Sequence, residues 1–387
     1  MSLIIQAREL FSPLERVERP LLFVEDGVVA SVSSSENREI PRGARVVDLG
    51  DATLVPGFID MHIHGGAGHD VMEAAADALP AVERLLCTHG VTTYFPTTVT
   101  APVDQTLQAL ERLAEAIERA AASAEVARAN PVGIHLEGPF ISHVRPGVHP
   151  PADLLPPTLE MFERFWQAAR GHIKVMTIAP ELEGALALIA EATRRGVCVS
   201  MGHSDADVAA ARAGIAAGAR HATHVFNAMR PLGHRDPGII GEALMDERLS
   251  AEIIADGIHV DPLVVRLFLR VKGADAAVLV TDATAATGMP DGRYHLGSLE
   301  VEVHDGRCMV GDKLAGSVLT MDKAVQNIVK FANWDLQHAV RLATVNPART
   351  TGLPANSGML VPGAVADMVA LSRGGDVLKT IVGGRIA

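Results

Sequence analysis

The sequence predicts an α/β protein, a (β/α)8 TIM barrel with a small β-sandwich domain formed from both termini. Three observations carry this prediction. Strand-like and helix-like segments alternate through the middle of the chain, the strand candidates there number eight, and both ends are β-like without helical periodicity. A length of 387 residues suits one large domain and a smaller one. Aromatic residues are only 4% while Ala and Gly are plentiful, which favours close packing of helices on strands over an all-β core.

From the N-terminus, residues 3–10 and 21–24 are apolar segments, and Asp26-Gly27 marks a hairpin turn between Phe23-Val24 and Val28-Val29. The barrel strands are expected at 58–64, 91–98, 132–137, 173–178, 197–203, 220–224, 251–256 and 277–282. Helical periodicity falls at 75–89, 103–121, 158–169, 183–195, 205–217 and 261–271, and 321–344 supplies the helices after the last strand. Six or seven such units would also suit a doubly wound sheet, whereas eight point to closure. The end, 366–386, is again strand-like, with a Gly383-Gly384 turn. The expected division is therefore 1–54 and 356–387 for the small domain and 55–355 for the barrel.

A formal net charge of −12 argues against general nucleic-acid binding, because phosphate backbones require Lys and Arg. An anionic ligand would need a local cradle. Cys87, Cys198 and Cys308 are odd in number and far apart, so reduced thiols in a cytoplasmic protein are expected. The start, MSLIIQARELF, has no basic leader, and no apolar run spans a bilayer.

The chemistry is concentrated at predicted strand ends. In PGFIDMHIHGG (56–66), Asp60, His62 and His64 share one strand face, and Ile59, Met61 and Ile63 share the other. The polar face would point into the barrel, where two imidazoles two residues apart can hold one ion; a bare HxH can equally be incidental. In HLEGPF (135–140), a carboxylate at Glu137 entering the barrel requires a cation, a proton or several donors, with an Arg partner as the plainer reading. His135 reads as a structural or supporting residue. His203 in GHSD and His224 in THVFNAM end successive strands, and Ser204-Asp205 reads as a helix start. Asp282 in VTDA could ligate a metal, accept a proton from water, or cap the next turn. Together, His62, His64, Glu137, His203, His224 and Asp282 form an N/O set without thiolate, suited to a divalent Zn, Fe, Mn or Co ion. Such a site hydrolyses a C–N bond without a Ser or Cys nucleophile.

These motifs, with DGIHV, LAGSVLTM, ATVNPART and GMLVPGAVADMV, run in order from residue 56 almost to the C-terminus, and the chain resembles the N-acetylglucosamine-6-phosphate deacetylase family of the amidohydrolase superfamily. The resemblance implies release of acetate from N-acetylglucosamine 6-phosphate. It implies that Glu137, His203 and His224 hold the principal metal and that Asp282 is the general base and later the acid. It further implies substrate contacts from Val148, His149, Asn227, Ala228, Arg235, His259, Leu314, Ala315 and Gly316, with Arg235 reaching the neighbouring subunit's substrate in a homodimer. Some members carry Gln-x-Asn in place of HxH and use one metal; with His62 and His64 present, one or two ions per subunit are open.

Three other readings compete. A deacetylase for the galactosamine isomer differs only at a sugar hydroxyl. A cyclic-amide hydrolase lacks support, because no candidate carboxylated lysine is present. A non-catalytic scaffold would have lost ligands, and all six are retained. For Arg235, the plainer reading is a loop residue paired with the adjacent Asp236.

Overall fold

The computed structural model describes residues 3–13, 15–34, 40–41, 43–122 and 127–387. The barrel strands are β1 (Phe58–Ile63), β2 (Val91–Thr98), β3 (Ile134–Glu137), β4 (Ile173–Ile178), β5 (Cys198–Met201), β6 (His221–Ala222), β7 (Ser250–Ile254) and β8 (Ala277–Val280). Each pairs in parallel with the next. The ring closes between β8 and β1, where the Asp282 N–H donates to His62 O at 2.9 Å and Ile63 bridges Ala283. The (β/α)8 barrel expected from alternation is therefore present.

The strand patterning explains the layering. On β1, Ile59, Met61 and Ile63 are buried in the apolar cluster that also contains Val82 and Leu86 of α1 (Ala78–Thr88), while Asp60 and His62 are buried away from it. The outer helices include α2 (Val103–Ala122), α3 (Leu159–Ala168), α4 (Ala185–Arg194), α5 (Val208–Ala217), α6 (Gly238–Met245), α7 (Pro262–Ala276) and α8 (Met321–Ala332). Thr158, Asp207 and Asp261 cap α3, α5 and α7 by accepting from the N–H of Met161, Ala210 and Leu263.

Several expectations change in detail. The helix expected from 205 begins at Val208, because Ser204 Oγ and Asp205 N–H are drawn to Glu181, at 2.7 and 2.6 Å. The sixth strand shrinks to two residues as the chain turns into left-handed backbone at His224, φ 24°. Among the elements not anticipated, two stand near the site. Helix α6 was hidden by the flanking Pro231, Gly233 and Pro237. A four-stranded antiparallel sheet (Gly292–Leu296, Leu299–His304, Arg307–Val310, Lys313–Leu314) stands between β8 and α8. Its signal was legible: Leu299, Val301 and Val303 alternate with Glu300, Glu302 and His304 before Asp305-Gly306.

Both chain ends meet in one β unit. Thr53–Pro56 pairs in parallel with Glu9–Phe11 and antiparallel with Met368–Leu371, inside a six-stranded sheet. A four-stranded sheet contains Leu3–Gln6, Arg45–Asp48 and the hairpin of Pro20–Glu25 and Val28–Ser34, which turns at Asp26-Gly27 with positive φ at both residues. Ile5, Leu22 and Val29 from one sheet pack with Leu10, Leu54, Met368 and Ile381 from the other. All three cysteines are free thiols. No helix among the described residues is long and apolar enough to cross a membrane.

Candidate active site

Glu137 ends β3 and is almost wholly buried, and it gathers the strand-end histidines around it. Its Oε1 lies 3.1 Å from His224 Nε2 and 3.2 Å from His203 Nε2. Its Oε2 lies 3.3 Å from His64 Nε2 and 3.4 Å from His62 Nε2. Asp282 Oδ1 is 3.1 Å from His64 Nε2 and 3.7 Å from His62 Nε2. The six residues singled out from the sequence thus form one cluster, with Glu137 between two histidine pairs. His203, His224 and Asp282 sit just beyond their strands with φ of 46°, 24° and 52°, a conformation that costs non-glycine residues energy and recurs at functional sites.

The outer ring nitrogens show which histidines can ligate. His64 Nδ1 faces Thr97 O at 3.0 Å, His203 Nδ1 faces Arg145 O at 3.2 Å, and His62 Nδ1 faces the Glu252 carboxylate at 3.0 Å. Each Nδ1 therefore donates, so Nε2 aims at the cluster as the atom at which an ion would take the place of a proton. His149 is reversed. Its Nδ1 accepts the Thr100 N–H at 3.2 Å, so Nε2 carries the proton, and it faces Glu137 Oε2 at 3.6 Å. His149 is a donor here, not a ligand. His135 is held by Met61 O and Thr177 Oγ1 and contributes structure, as its sequence context suggested.

The donor set fits a divalent ion. Four imidazole Nε2 atoms surround two carboxylates, and His62 Nε2 is buried with no hydrogen-bond partner. The buried carboxylates also draw in positive charge: burial opposes it on His64, but hydrogen bonds to Asp282 and Glu137 lift the His64 pKa to about 9. Burial likewise works to raise Glu137, yet the charge on His62 and hydrogen bonds from His149, His203 and His224 hold it well below the usual range. His203 is pushed down to about 4, chiefly by burial.

A cavity of about 130 Å³ opens on the cluster and is lined by His64, Glu137, His203, His224 and Asp282. It is also lined by Val148, His149, Asn227, Ala228, His259, Leu314 and Gly316, seven of the nine expected substrate positions. Ala315 is buried outside the lining. Arg235 lies exposed in the loop before α6, away from this chain's own cavity. Its expected alternative partner is taken, since Asp236 pairs with Arg230 at 2.6 Å. The segment over the cavity is tied down by Arg145–Asp205 at 2.8 Å and by Lys313 Nζ donating to Gly147 O at 3.2 Å. The inserted antiparallel sheet supplies Leu296 and Leu314 to one wall. A larger cavity of about 860 Å³ between the small sheets and α2 is lined largely by apolar side chains such as Val24, Ile117 and Val382, and holds no comparable cluster.

One buried functional candidate escaped sequence reasoning. Glu252 on β7 stands behind His62; its signal was a carboxylate within an otherwise apolar strand, AEII. Asp60, inward-facing as expected, accepts from Thr281 Oγ1 at 2.6 Å and braces β1 against β8; burial pushes its pKa up to about 7.

Fold and site together define a barrel hydrolase of the metal-dependent kind, with its ligands at the C-terminal ends of the strands. The family model for the amidohydrolase family matches residues 53–387. The N-acetylglucosamine-6-phosphate deacetylase of Bacillus subtilis (strain 168) is 36% identical over 387 residues, 100% of this chain and 97% of that protein. The N-acetylgalactosamine-6-phosphate deacetylase of Escherichia coli O157:H7 is 36% identical, with each chain covered in full. Among solved structures, a mutant N-acetyl-D-glucosamine-6-phosphate deacetylase from Mycobacterium smegmatis in complex with N-acetyl-D-glucosamine-6-phosphate superposes with a TM-score of 0.92 at 36% identity, covering 100% of this chain and 99% of that one. The chain belongs to the amidohydrolase family, and within it to the N-acetylglucosamine-6-phosphate deacetylases.

Proposed function

We propose that the protein removes the acetyl group of N-acetylglucosamine 6-phosphate, releasing acetate and glucosamine 6-phosphate. The observation that carries the proposal is the meeting of Glu137, two histidine pairs and Asp282 at a cavity that His149, Asn227 and His259 also line. The relatives that share the whole chain length act on this class of substrate by name.

In this reading Glu137, His203 and His224 hold the principal divalent ion, and His62 and His64, with Glu137 and Asp282, can hold a second. The candidates are Zn, Fe, Mn and Co, at one or two ions per subunit. A divalent ion in such a site polarises the amide carbonyl and lowers the pKa of nearby water. Asp282 takes the proton from the attacking water and delivers it to the departing amine. His149 presents Nε2–H toward the acetamide. His259 is oriented by Asp256 at 2.6 Å and, with the main-chain N–H of Ala228, faces the phosphate, the Asn227 N–H being donated to His224 O at 3.0 Å. Arg235 serves the neighbouring subunit's phosphate in a homodimer, and the protein works in the cytoplasm. The small β unit is assigned to residues 1–54 and 356–387, and the catalytic unit to 55–355.

Acetate release from the two 6-phosphate isomers, measured alongside metal content, tests the proposal. Preference for the gluco isomer is expected. Faster release from the galacto isomer would favour the second reading, which the Escherichia coli relative supports. No acetate from either isomer at full metal content would overturn both.

A further inference from the structure

Glu252 lies outside the cavity and is wholly buried on β7, yet it accepts three hydrogen bonds behind the cluster. Its Oε2 accepts from His62 Nδ1 at 3.0 Å and from the His224 main-chain N–H at 3.1 Å. Its Oε1 accepts from His221 Nε2 at 3.0 Å. His221 Nδ1 lies 2.7 Å from Ser250 Oγ, which in turn accepts from Thr350 Oγ1 at 3.0 Å. A chain of hydrogen bonds thus runs through the barrel interior from the half-buried Thr350 to His62.

We infer that Glu252 is a positioning residue for His62, holding its imidazole as the Nδ1–H tautomer so that Nε2 meets the metal as a bare donor. The inference rests on the reading of His62 as a metal ligand. A neutral imidazole has one N–H, and that proton goes to the strongest acceptor within reach. For His62 that acceptor is a carboxylate, whereas the outer nitrogens of His64 and His203 meet only main-chain carbonyls. A carboxylate behind an imidazole makes the opposite nitrogen a better ligand and fixes the ring plane. The contacts from His221 and the His224 N–H stop Glu252 from rotating away, and Thr350 and Ser250 orient His221 in turn. The consequence is a buried His62 Nε2 that no hydrogen bond engages, 3.4 Å from Glu137 Oε2. Leaving such an atom unpaired is costly unless a ligand satisfies it.

The Glu252→Gln variant tests this, because an amide can accept on one side only. Metal-stripped wild type, Glu252→Gln, His62→Asn and the double variant are titrated with Zn²⁺ alone, following stoichiometry and affinity by calorimetry, with circular dichroism to verify folding. In folded Glu252→Gln, the affinity at the His62 site is expected to fall about 10–100-fold, and no further loss is expected on adding Glu252→Gln to His62→Asn. KM for the sugar phosphate should stay within about twofold of wild type wherever turnover persists, since Glu252 does not line the cavity. Wild-type affinity in Glu252→Gln together with lost affinity in His62→Asn overturns the positioning role alone, as does an equal loss in both backgrounds. Unchanged binding in His62→Asn overturns the ligand assignment on which the role rests. Should Glu252→Gln not fold, long-range ¹H–¹⁵N spectra of zinc-loaded wild type, assigned with His62→Asn, decide the matter. A proton on His62 Nδ1 with a metal-shifted Nε2 is expected, and a proton on Nε2 overturns the inference.

Discussion

Glu137 is the one side chain whose loss should dismantle both halves of the site, because each of its oxygens faces a different histidine pair. Glu137→Ala is expected to lose bound metal and acetate release together, as read by elemental analysis and assay. Full metal content at wild-type turnover would remove Glu137 from the site. Asp282 calls for a different signature. Asn in its place keeps a possible ligand oxygen but cannot carry the proton. Asp282→Asn should therefore lower turnover by about 10²–10⁴-fold while the sugar phosphate still binds in a direct binding measurement; near-normal turnover would make Asp282 a cap after all. The types and strand-end positions of these residues were readable in the sequence because each lies within or just after an apolar strand. The tautomers were not, since they depend on acceptors such as Thr97 O and Arg145 O that are remote in the chain.

The segments that follow the barrel strands hold the site as tightly as the strands do. Gly316, just after the inserted sheet, adopts φ of +59°, and a Cβ there would meet Thr284 Cγ2 at 2.6 Å and the Asp282 carbonyl oxygen at 2.8 Å. A main-chain oxygen at that distance has little room to yield. Gly316→Ala removes no functional group, yet it is expected to cost roughly 1–3 kcal/mol of stability and to depress turnover by displacing Asp282. Unchanged melting and kinetics would show that the loop relaxes freely. At the other end of the barrel, Asp367 joins the C-terminal strands to β1 and β2. Its main-chain oxygen accepts the Gly57 N–H, and Oδ1 accepts the Gly383 N–H at 2.7 Å. Burial pushes its pKa up to about 6, against weaker opposition from the Gly383 and Thr92 hydrogen bonds. An acid whose folded pKa lies above its unfolded one stabilises the fold at low pH and loses that contribution as pH rises through the folded value. Asp367→Asn should accordingly raise the melting temperature at pH 8, by an amount corresponding to roughly 1–2 kcal/mol, with the advantage gone near pH 4. A gain of the same size at both pH values would show that charge is not the cause.

A protein of net charge −12 that accepts a sugar phosphate must neutralise it locally, and among the described residues no Lys or Arg lines the cavity. Arg235 stands exposed and is not engaged by the adjacent Asp236. Its planar fork of donors suits a phosphate. Arg235→Ala should therefore raise KM for N-acetylglucosamine 6-phosphate strongly, with a much smaller effect on the unphosphorylated sugar. Mixing Arg235→Ala chains with Asp282→Asn chains should restore part of the activity, since one site of each heterodimer would combine an intact Asp282 with a donated Arg235. Equal damage to both sugars would argue against the phosphate role, and no rescue in verified heterodimers would argue against sharing between subunits.

The barrel, the pairing of β-like chain ends and the six clustered residues were all legible in the amino-acid order, because they follow from local periodicity. Alternating side chains along β1 put Asp60 and His62 on one face and Ile59, Met61 and Ile63 on the other, whatever the rest of the chain does. The inserted sheet of 292–314 carried the same kind of signal in Leu299, Val301 and Val303, although its place as a wall of the cavity could not be read from alternation. Glu252 belongs to a different category. It is 190 positions from His62 in sequence, and nothing in either local pattern says that β7 will set its carboxylate against that ring. The reversed tautomer of His149 likewise follows from Thr100, 49 positions earlier. Side-chain direction within one element is a property of that element's repeat. Which acceptor stands behind which imidazole is a property of how the closed barrel packs.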